Sequence, residues 1–331
     1  MMNDSVILAE FYGPTLSWFR PIFGLLCLLA VLGNGLLIWI ALTTPSIRSV
    51  NSNWFVISMG ISDFLWGFYG SVLSSIAFSC GSDGSCPTLV KISGGFCIST
   101  IESSFVFPTF IVINRYVKVT TLPGDSGRLR RFLVSSKGIL IISGCAWIYV
   151  IVLSSILAIF DQLGEDPFGV YCANHFKSFW LYLVYMTGGM YAMSSYTATF
   201  YFYSKLQKFV ATSIARVNAN RPVRRNAFHT RQQDHQEGDT KAVMKMVKLS
   251  TLLPLVLQGG VFVIDGGQWF LPDDLLPMWG GRLFSIAFAI MPMCSPWILL
   301  LTLGPFKREL KRRWGVALRR TNSVTAVASV M

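Results

Sequence analysis

The chain has 331 residues, of which 53% are apolar and only 13% charged, and its mean hydropathy is +0.53. That balance excludes the two soluble domains that the length alone would allow. The formal net charge of +12 suits an anionic inner membrane leaflet rather than a nucleic-acid partner, so membrane lipids are expected partners and nucleic acid is not.

Seven apolar runs follow one another: Pro21–Leu42, Trp54–Phe78, Ile92–Ile113, Gly138–Phe160, Ser178–Ser204, Ala242–Ile264 and Leu283–Phe306. Each is long enough, at about 1.5 Å per residue, to cross a hydrocarbon core of about 30 Å. The segments 43–53, 114–137, 205–248 and 305–331 carry 24 of the 28 Lys and Arg residues. Only Arg20, Lys91, Lys177 and Arg282 fall on the other side, where nine of the 16 acidic residues lie. Basic segments stay cytoplasmic, which puts the amino terminus outside and the carboxyl terminus inside. The expected fold is all-α: a seven-helix bundle in the plasma membrane, with residues 1–20 outside, 21–304 in the bundle and 305–331 in the cytoplasm.

In chain order, Asp4 and Glu10 occupy the place of a basic leader, so the start does not read as a cleaved signal peptide. Asn3-Asp4-Ser5 is a glycosylation sequon on the outer side. With about 20 residues before the first run, a large extracellular ligand-binding module is not expected. The first run opens on Pro21, a comfortable first-turn residue, and ends near Thr44-Pro45. The third helix is expected from Pro87. Glycines and a proline at 164–169 mark an outer loop. The segment 205–239 is polar and basic, with too few apolar residues to bury a core. Asp239-Thr240 could cap the sixth helix, where Lys241, Lys245 and Lys248 make a basic stripe and Gly266-Gly267 ends the run. Gly304-Pro305 interrupts the last helix. Beyond it Phe306, Leu310, Trp314 and Leu318 recur every four residues among Lys307, Arg308, Lys311, Arg312 and Arg313, an amphipathic helix suited to the inner leaflet. No internal repeat is visible, which speaks against a secondary transporter.

Cys27, Cys97, Cys145 and Cys294 lie in the runs, where a thiol is an apolar filler. Cys80, Cys86 and Cys172 lie in outer segments, where the compartment is oxidising. Neither spacing nor parity selects a pair among them. Ionisable groups inside spans are expensive and point to function. Asp63 lies near the middle of the second run and Glu102 near the middle of the third. Asn34 adds a strong hydrogen-bonding group in the first run, and Ser104 and Ser295 could join it.

Several residues together resemble a family. Asn114-Arg115-Tyr116 closes the third run at its cytoplasmic end and looks like the Asp-Arg-Tyr triplet of rhodopsin-like G-protein-coupled receptors. Gly33-Asn34 is similar to that family's first-helix pair. Asp63 follows Asn53 by ten residues, as in its second helix. Trp147 and Pro254 match its fourth-helix tryptophan and sixth-helix proline. Ser295-Pro296 looks like the start of its seventh-helix motif, and Phe306 follows at the usual distance. The likeness covers residues 20–318. It departs where Asn114 replaces the acid, Leu299 the tyrosine and Leu252 the tryptophan, and where the fifth run lacks proline. Such erosion resembles the nematode chemosensory receptors.

The resemblance implies a small-molecule or peptide ligand between the outer halves of helices three, five, six and seven, and a heterotrimeric G protein at Asn114, Arg115 and Tyr116. Arg115 would be the switch, with Asp234 as the family's partner acid on helix six, although Gly238 intervenes. Asp63, Ser104 and Ser295 approach each other in the family's bundle, which could hold a sodium ion; the other reading ties Asp63 to Asn34 by a hydrogen bond. The resemblance also implies a disulfide between Cys86 and Cys172, with Cys80–Cys86 as the alternative. Helix phase places Cys97, Ser104 and Arg115 within about 20° of one line, flanked by Ile101 and Pro108. The upper part of that stripe, Cys97 and Ile101, is expected in the ligand pocket. Glu102 points away from it, toward the fourth and fifth helices by analogy, as a cation anchor or a protonated structural acid.

Other functions fit less well. His175, His229 and His235 all lie in loops, so no intramembrane Ser–His pair or histidine metal cluster can form, and neither an enzyme nor a cofactor is expected. The last run has no lysine for a retinal Schiff base. A multispan channel or transporter without G-protein coupling is the alternative function, but it would want a polar face repeated on several helices.

Overall fold

The computed structural model describes residues 16–81, 86–120, 127–164, 172, 179–219, 248–249 and 278–315. All secondary structure among them is helical. Six of the seven apolar runs are covered. Asn3, Asp234, Gly238, Lys241, Lys245, Pro254, Gly266, Gly267 and Leu318 lie outside the described residues, as does the side chain of Cys80.

The first helix, Leu16–Thr43, starts five residues before Pro21 and holds that proline inside. Trp18 and Phe19 carry it outward. Phe19 is 1% exposed and stacks on Phe23 at 5.3 Å, and Phe23 meets Trp66 of the second span edge-on. Burying those rings outweighs the one backbone bond that the proline removes.

The second span runs as Asn53–Phe68, passes through a π-helical turn at Tyr69–Leu73 and continues as Ser74–Gly81. The wide turn buries Tyr69 and Gly70, and the Ser71 hydroxyl donates to the Gly67 carbonyl at 2.6 Å. Side-chain insertion of this kind accompanies such bulges. The third helix, Pro87–Thr120, begins at the expected proline. The fourth, Ser136–Ile159, is capped by the Ser135 side chain, which accepts from the Gly138 N–H at 3.0 Å.

The fifth helix, Phe179–Ala219, is 41 residues long. It extends well past the apolar run, so 205–219 is helix where the basic composition predicts loop. Lys205 lies over the Tyr201 ring at 5.5 Å, one turn back, and the stretch lacks glycine and proline. The seventh-run helix, Met278–Thr302, contains Pro292 and Pro296. After a bend at Leu303 the chain is helical again over 304–315.

Five of these helices are long and apolar enough to cross a membrane. The fifth-run helix is the exception, because tyrosines, threonines and serines lower its hydropathy. The first helix packs against the second and the seventh-run helix; the third packs against the second, fourth and fifth. An inner core gathers Leu37, Phe55, Phe107, Leu299 and Phe306, and an outer one gathers Phe23, Trp66, Leu153 and Ala289. The expected amphipathic stripe at the end divides. Phe306 and Leu310 turn into the inner core, while Trp314 stays 62% exposed.

Candidate functional site

Three groups of residues carry the polar chemistry, one at the centre of the bundle and one toward each end. At the centre, Pro296 has no N–H to give the Pro292 carbonyl one turn back, which leaves that acceptor without its helical donor. Asn34 replaces the missing donor from the first helix, with Nδ2 at 2.9 Å from the Pro292 oxygen and 3.0 Å from that of Ala30. Gly33 permits the approach, since a Cβ there would come within 2.8 Å of Pro296 Cγ. Ser295 donates its hydroxyl to Asp63 Oδ2, which ties the seventh-run helix to the second; Asp63 is 3% exposed.

Two expected neighbours of Asp63 are engaged elsewhere. Ser104 donates to the Ile101 carbonyl of its own helix at 2.8 Å, and the Asn34 amide is committed to backbone. The hydroxyl that reaches the second span from the third is the preceding one, Ser103, at 2.5 Å from Ser62. A hard cation wants a cage of several oxygens. Among the described residues Asp63 and Ser295 alone of the expected three come together, which does not make such a cage.

At the cytoplasmic end, Asn114 is 2% exposed and donates through Nδ2 to the Leu133 carbonyl at 2.7 Å, so it ties helix three to the inner loop and not to Arg115. Arg115 is half-buried, and its Nε has no hydrogen-bond partner among the described residues. Lys118 stands close enough to repel it. Tyr116 packs on Phe202 of the fifth helix at 5.3 Å between ring centres. Seven residues up, Thr109 bonds Thr199 at 2.7 Å and the Ser195 carbonyl at 3.0 Å.

Toward the outer end, the disulfide joins Cys97 to Cys172, with their Cα atoms 5.4 Å apart. This corrects the Cys86–Cys172 pairing and removes Cys97 from the thiols that only fill space. Cys86 precedes the third helix, whereas Cys97 lies eleven residues on, about 16 Å at 1.5 Å per residue. A Cys172 bonded to Cys97 is therefore out of reach of Cys86, because a disulfide needs Cα atoms within about 7 Å. Gly94 makes room for the loop, since a Cβ there would lie 2.5 Å from the Cys172 carbonyl oxygen.

Ile101 packs between the outer core and the Phe105–Phe288 contact. Glu102, 8% exposed, faces the fifth helix at Gly188, where a Cβ would meet Oε1 at 2.3 Å. Its Oε2 has no hydrogen-bond partner among the described residues. Tyr149, Tyr191 and Tyr196 surround it within electrostatic reach, and the first two rings lie 4.4 Å apart.

The profile of the family described as "7 transmembrane receptor (rhodopsin family)" matches residues 33–264. The chain belongs to that family. Among solved structures, the crystal structure of squid rhodopsin superposes with a TM-score of 0.69 at 15% identity, covering 92% of this chain and 87% of that one. At that identity the likeness establishes the fold. No curated protein sequence matches the chain. This rhodopsin-family receptor is thus a multi-pass membrane protein of the G-protein-coupled class and not an enzyme; the family implies a ligand outside and a G protein inside.

Sequence reasoning about the receptor missed the tyrosines around Glu102, the Ser62–Ser103 contact and Arg282, which is fully buried at the outer end of the seventh-run helix. The disulfide did carry a signal. Gly94-Gly95 within a helix, one turn before Cys97, marks a close backbone approach.

Proposed function

We propose that the receptor binds a small-molecule or peptide ligand between the outer halves of helices three, five, six and seven and passes the signal to a heterotrimeric G protein at Asn114, Arg115 and Tyr116. Ile101 and Glu102 belong to the pocket wall in this reading, and Cys97 fixes the outer loop above it. Asn34, Asp63, Ser295 and Pro296 couple the first, second and seventh helices and hold the proline-bent seventh helix in register.

What supports the switch role is the state of Arg115. Its neighbour Asn114 is committed to the inner loop, and the guanidinium Nε has no partner among the described residues. A guanidinium with a donor left over at the cytoplasmic mouth is suited to take a partner's carbonyls or carboxylate when helix six moves away. The eroded motifs, similar to those of nematode chemosensory receptors, favour an environmental small molecule as ligand. Ligand-screened G-protein activation by Arg115→Ala tests the proposal. Full signalling by that variant sinks the switch role, and ligand-gated current without any G protein would favour the channel alternative. Expression in sensory endings is the result expected for a chemosensory role.

A further inference from the structure

The described residues include a groove of about 560 Å³ on the outward side of the bundle, between the second, third and fourth spans. Leu65, Ile92, Gly95, Phe96, Trp147 and Ala158 make its apolar wall. It lies away from the region where the receptor's ligand is placed above. The size is that of a small-molecule site. Its rim residues Ile92 and Ile151 are 48% and 53% exposed, and the flanking Ile148 and Val152 are equally open. In a membrane-spanning helix those faces meet hydrocarbon, so the groove opens to lipid and not to water.

Depth and chemistry narrow the occupant. Lys91, Thr88 and Leu163 stand at the outer mouth, and Thr100 and Trp147 at the inner end. Nine residues of helix separate Lys91 from Thr100, about 13 Å or roughly one leaflet of hydrocarbon. The deeper hydroxyls are satisfied by the protein itself: Ser99 donates to Ser154 at 2.8 Å, and Ser154 and Ser155 donate to the Ile151 carbonyl at 3.0 and 2.7 Å. With these serines satisfied and the wall apolar, the inner end asks mainly for hydrocarbon. The mouth differs, because Lys91 Nζ and Asp161 Oδ1 face each other there at 2.7 Å, both well exposed.

We propose that this groove is a binding site for one acyl chain of an outer-leaflet phospholipid with a zwitterionic head group. Lys91 meets its phosphate through a charge-assisted hydrogen bond, and Asp161 faces its quaternary ammonium as a counter-charge. Occupancy bears on the outer loop, because Leu163 touches the groove side of Gly95 and also stands beside Gly94, over which Cys172 is bonded.

The experiment uses the full-length receptor in nanodiscs of phosphatidylcholine containing a photoreactive analogue with a diazirine midway along one chain. Peptide mapping after irradiation should concentrate the label on the third and fourth spans, at 92–100 and 147–158. Gly95→Leu fills the groove, since a Cβ at 95 has only Leu163 Cδ1 near it, at 3.8 Å; it should lose that label while the labelling of Leu25 and Leu32 on the first helix persists. Lys91→Glu should reduce labelling by the zwitterionic lipid. Should Gly95→Leu fail to form the Cys97–Cys172 bond, Ala158→Phe fills the same space from the fourth span. Label spread evenly over every lipid-facing span, or unchanged in both filled variants, identifies bulk annular lipid only and overturns the proposal.

Discussion

Gly94 and Cys172 stand so close that a Cβ on residue 94 would lie 2.5 Å from the Cys172 carbonyl oxygen, and 3.0 Å from Leu163 Cβ. Backbone cannot yield as the end of a side chain can, so the outer loop docks only over a glycine. Gly94→Val should keep Cys97 and Cys172 apart and lose the stabilisation of the bond, about 2–5 kcal/mol for a native disulfide. Thiol labelling of the denatured, unreduced receptor checks this. Wild type should protect Cys97 and Cys172, and Gly94→Val should expose both. Gly95→Ala, whose Cβ would meet only Leu163 Cδ1 at an ordinary contact distance of 3.8 Å, should leave the bond intact.

The Asn34 amide answers a defect created by Pro296. Replacing it with Leu, of similar size, leaves the buried Pro292 carbonyl with only the long 3.5 Å approach of the Ser295 hydroxyl, which is shared with Asp63. A buried acceptor left unpaired costs about 1–3 kcal/mol, the upper bound on the loss here. Asn34→Leu should therefore lower the melting temperature of the detergent-solubilised receptor. Combining it with Pro296→Ala, which restores a backbone N–H to that carbonyl, should recover much of the loss. Equal melting of wild type and Asn34→Leu would remove this account of the Gly-Asn pair.

Much of this was legible in the sequence, because bilayer thickness and charge asymmetry constrain long apolar runs so strongly. Six runs coincide with described helices, and the Pro87 start was visible from one residue. What escaped depends on contacts between distant segments. The π turn at Tyr69 has no local signature, since it is fixed by what the second span buries against the first. Ser103 and not Ser104 reaches the second span, because a step of about 100° decides which hydroxyl faces a neighbour, and neighbour positions are unknown from one chain. The Cys86 pairing followed from the resemblance, while the glycine pair beside Cys97 carried the better information. Arg115 is placed by its motif, yet the disposition of Asn114 toward Leu133 needed the fold of the inner loop.

Besides the packing of Phe306 and Leu310, one cation ties the helix after Leu303 to the cytoplasmic end of the first. Arg313 lies 4.1 Å over the Trp39 ring and donates to Thr43 Oγ1 at 2.8 Å and Thr44 Oγ1 at 3.1 Å. Glu309 aims it, accepting from Arg313 at 2.6 Å and from Arg312 at 2.7 and 2.8 Å. Hydrogen bonds from Arg312 and Arg313 hold the Glu309 carboxyl down to about 2. A carboxyl depressed on folding stabilises fully above its unfolded value of about 4.3, and the contribution is lost as pH falls through the folded value. Docking of 304–315 should thus persist at pH 5 and weaken between about pH 4 and 2. Trp39 hydrogen exchange or fluorescence in the receptor, compared with Glu309→Gln, reads this. The variant should show the released signal at every pH, and a wild-type transition near pH 6 would exclude Glu309 as its origin.

Glu102 and Gly188 share one space between the third and fifth helices. A Cβ on residue 188 would meet Glu102 Oε1 at 2.3 Å and Cδ at 3.0 Å. Gly188→Val forces the carboxyl out of its place among Tyr149, Tyr191 and Tyr196, and overpacking of this kind costs about 1–3 kcal/mol. Glu102→Ala alone opens a cavity and is also destabilising. Together the two changes fill one site from the other side, so their costs should not add. The double variant should melt above Gly188→Val, with a coupling of about 0.5–3 kcal/mol in a double-mutant cycle. Additive losses would mean that the two residues do not compete for the same volume. Ligand response separates packing from recognition. If Glu102 serves only to pack, the double variant signals like wild type. If its carboxylate anchors a cationic group of the ligand, the double variant folds as well as the cycle predicts and yet does not respond, whereas Glu102→Asp keeps a weakened response.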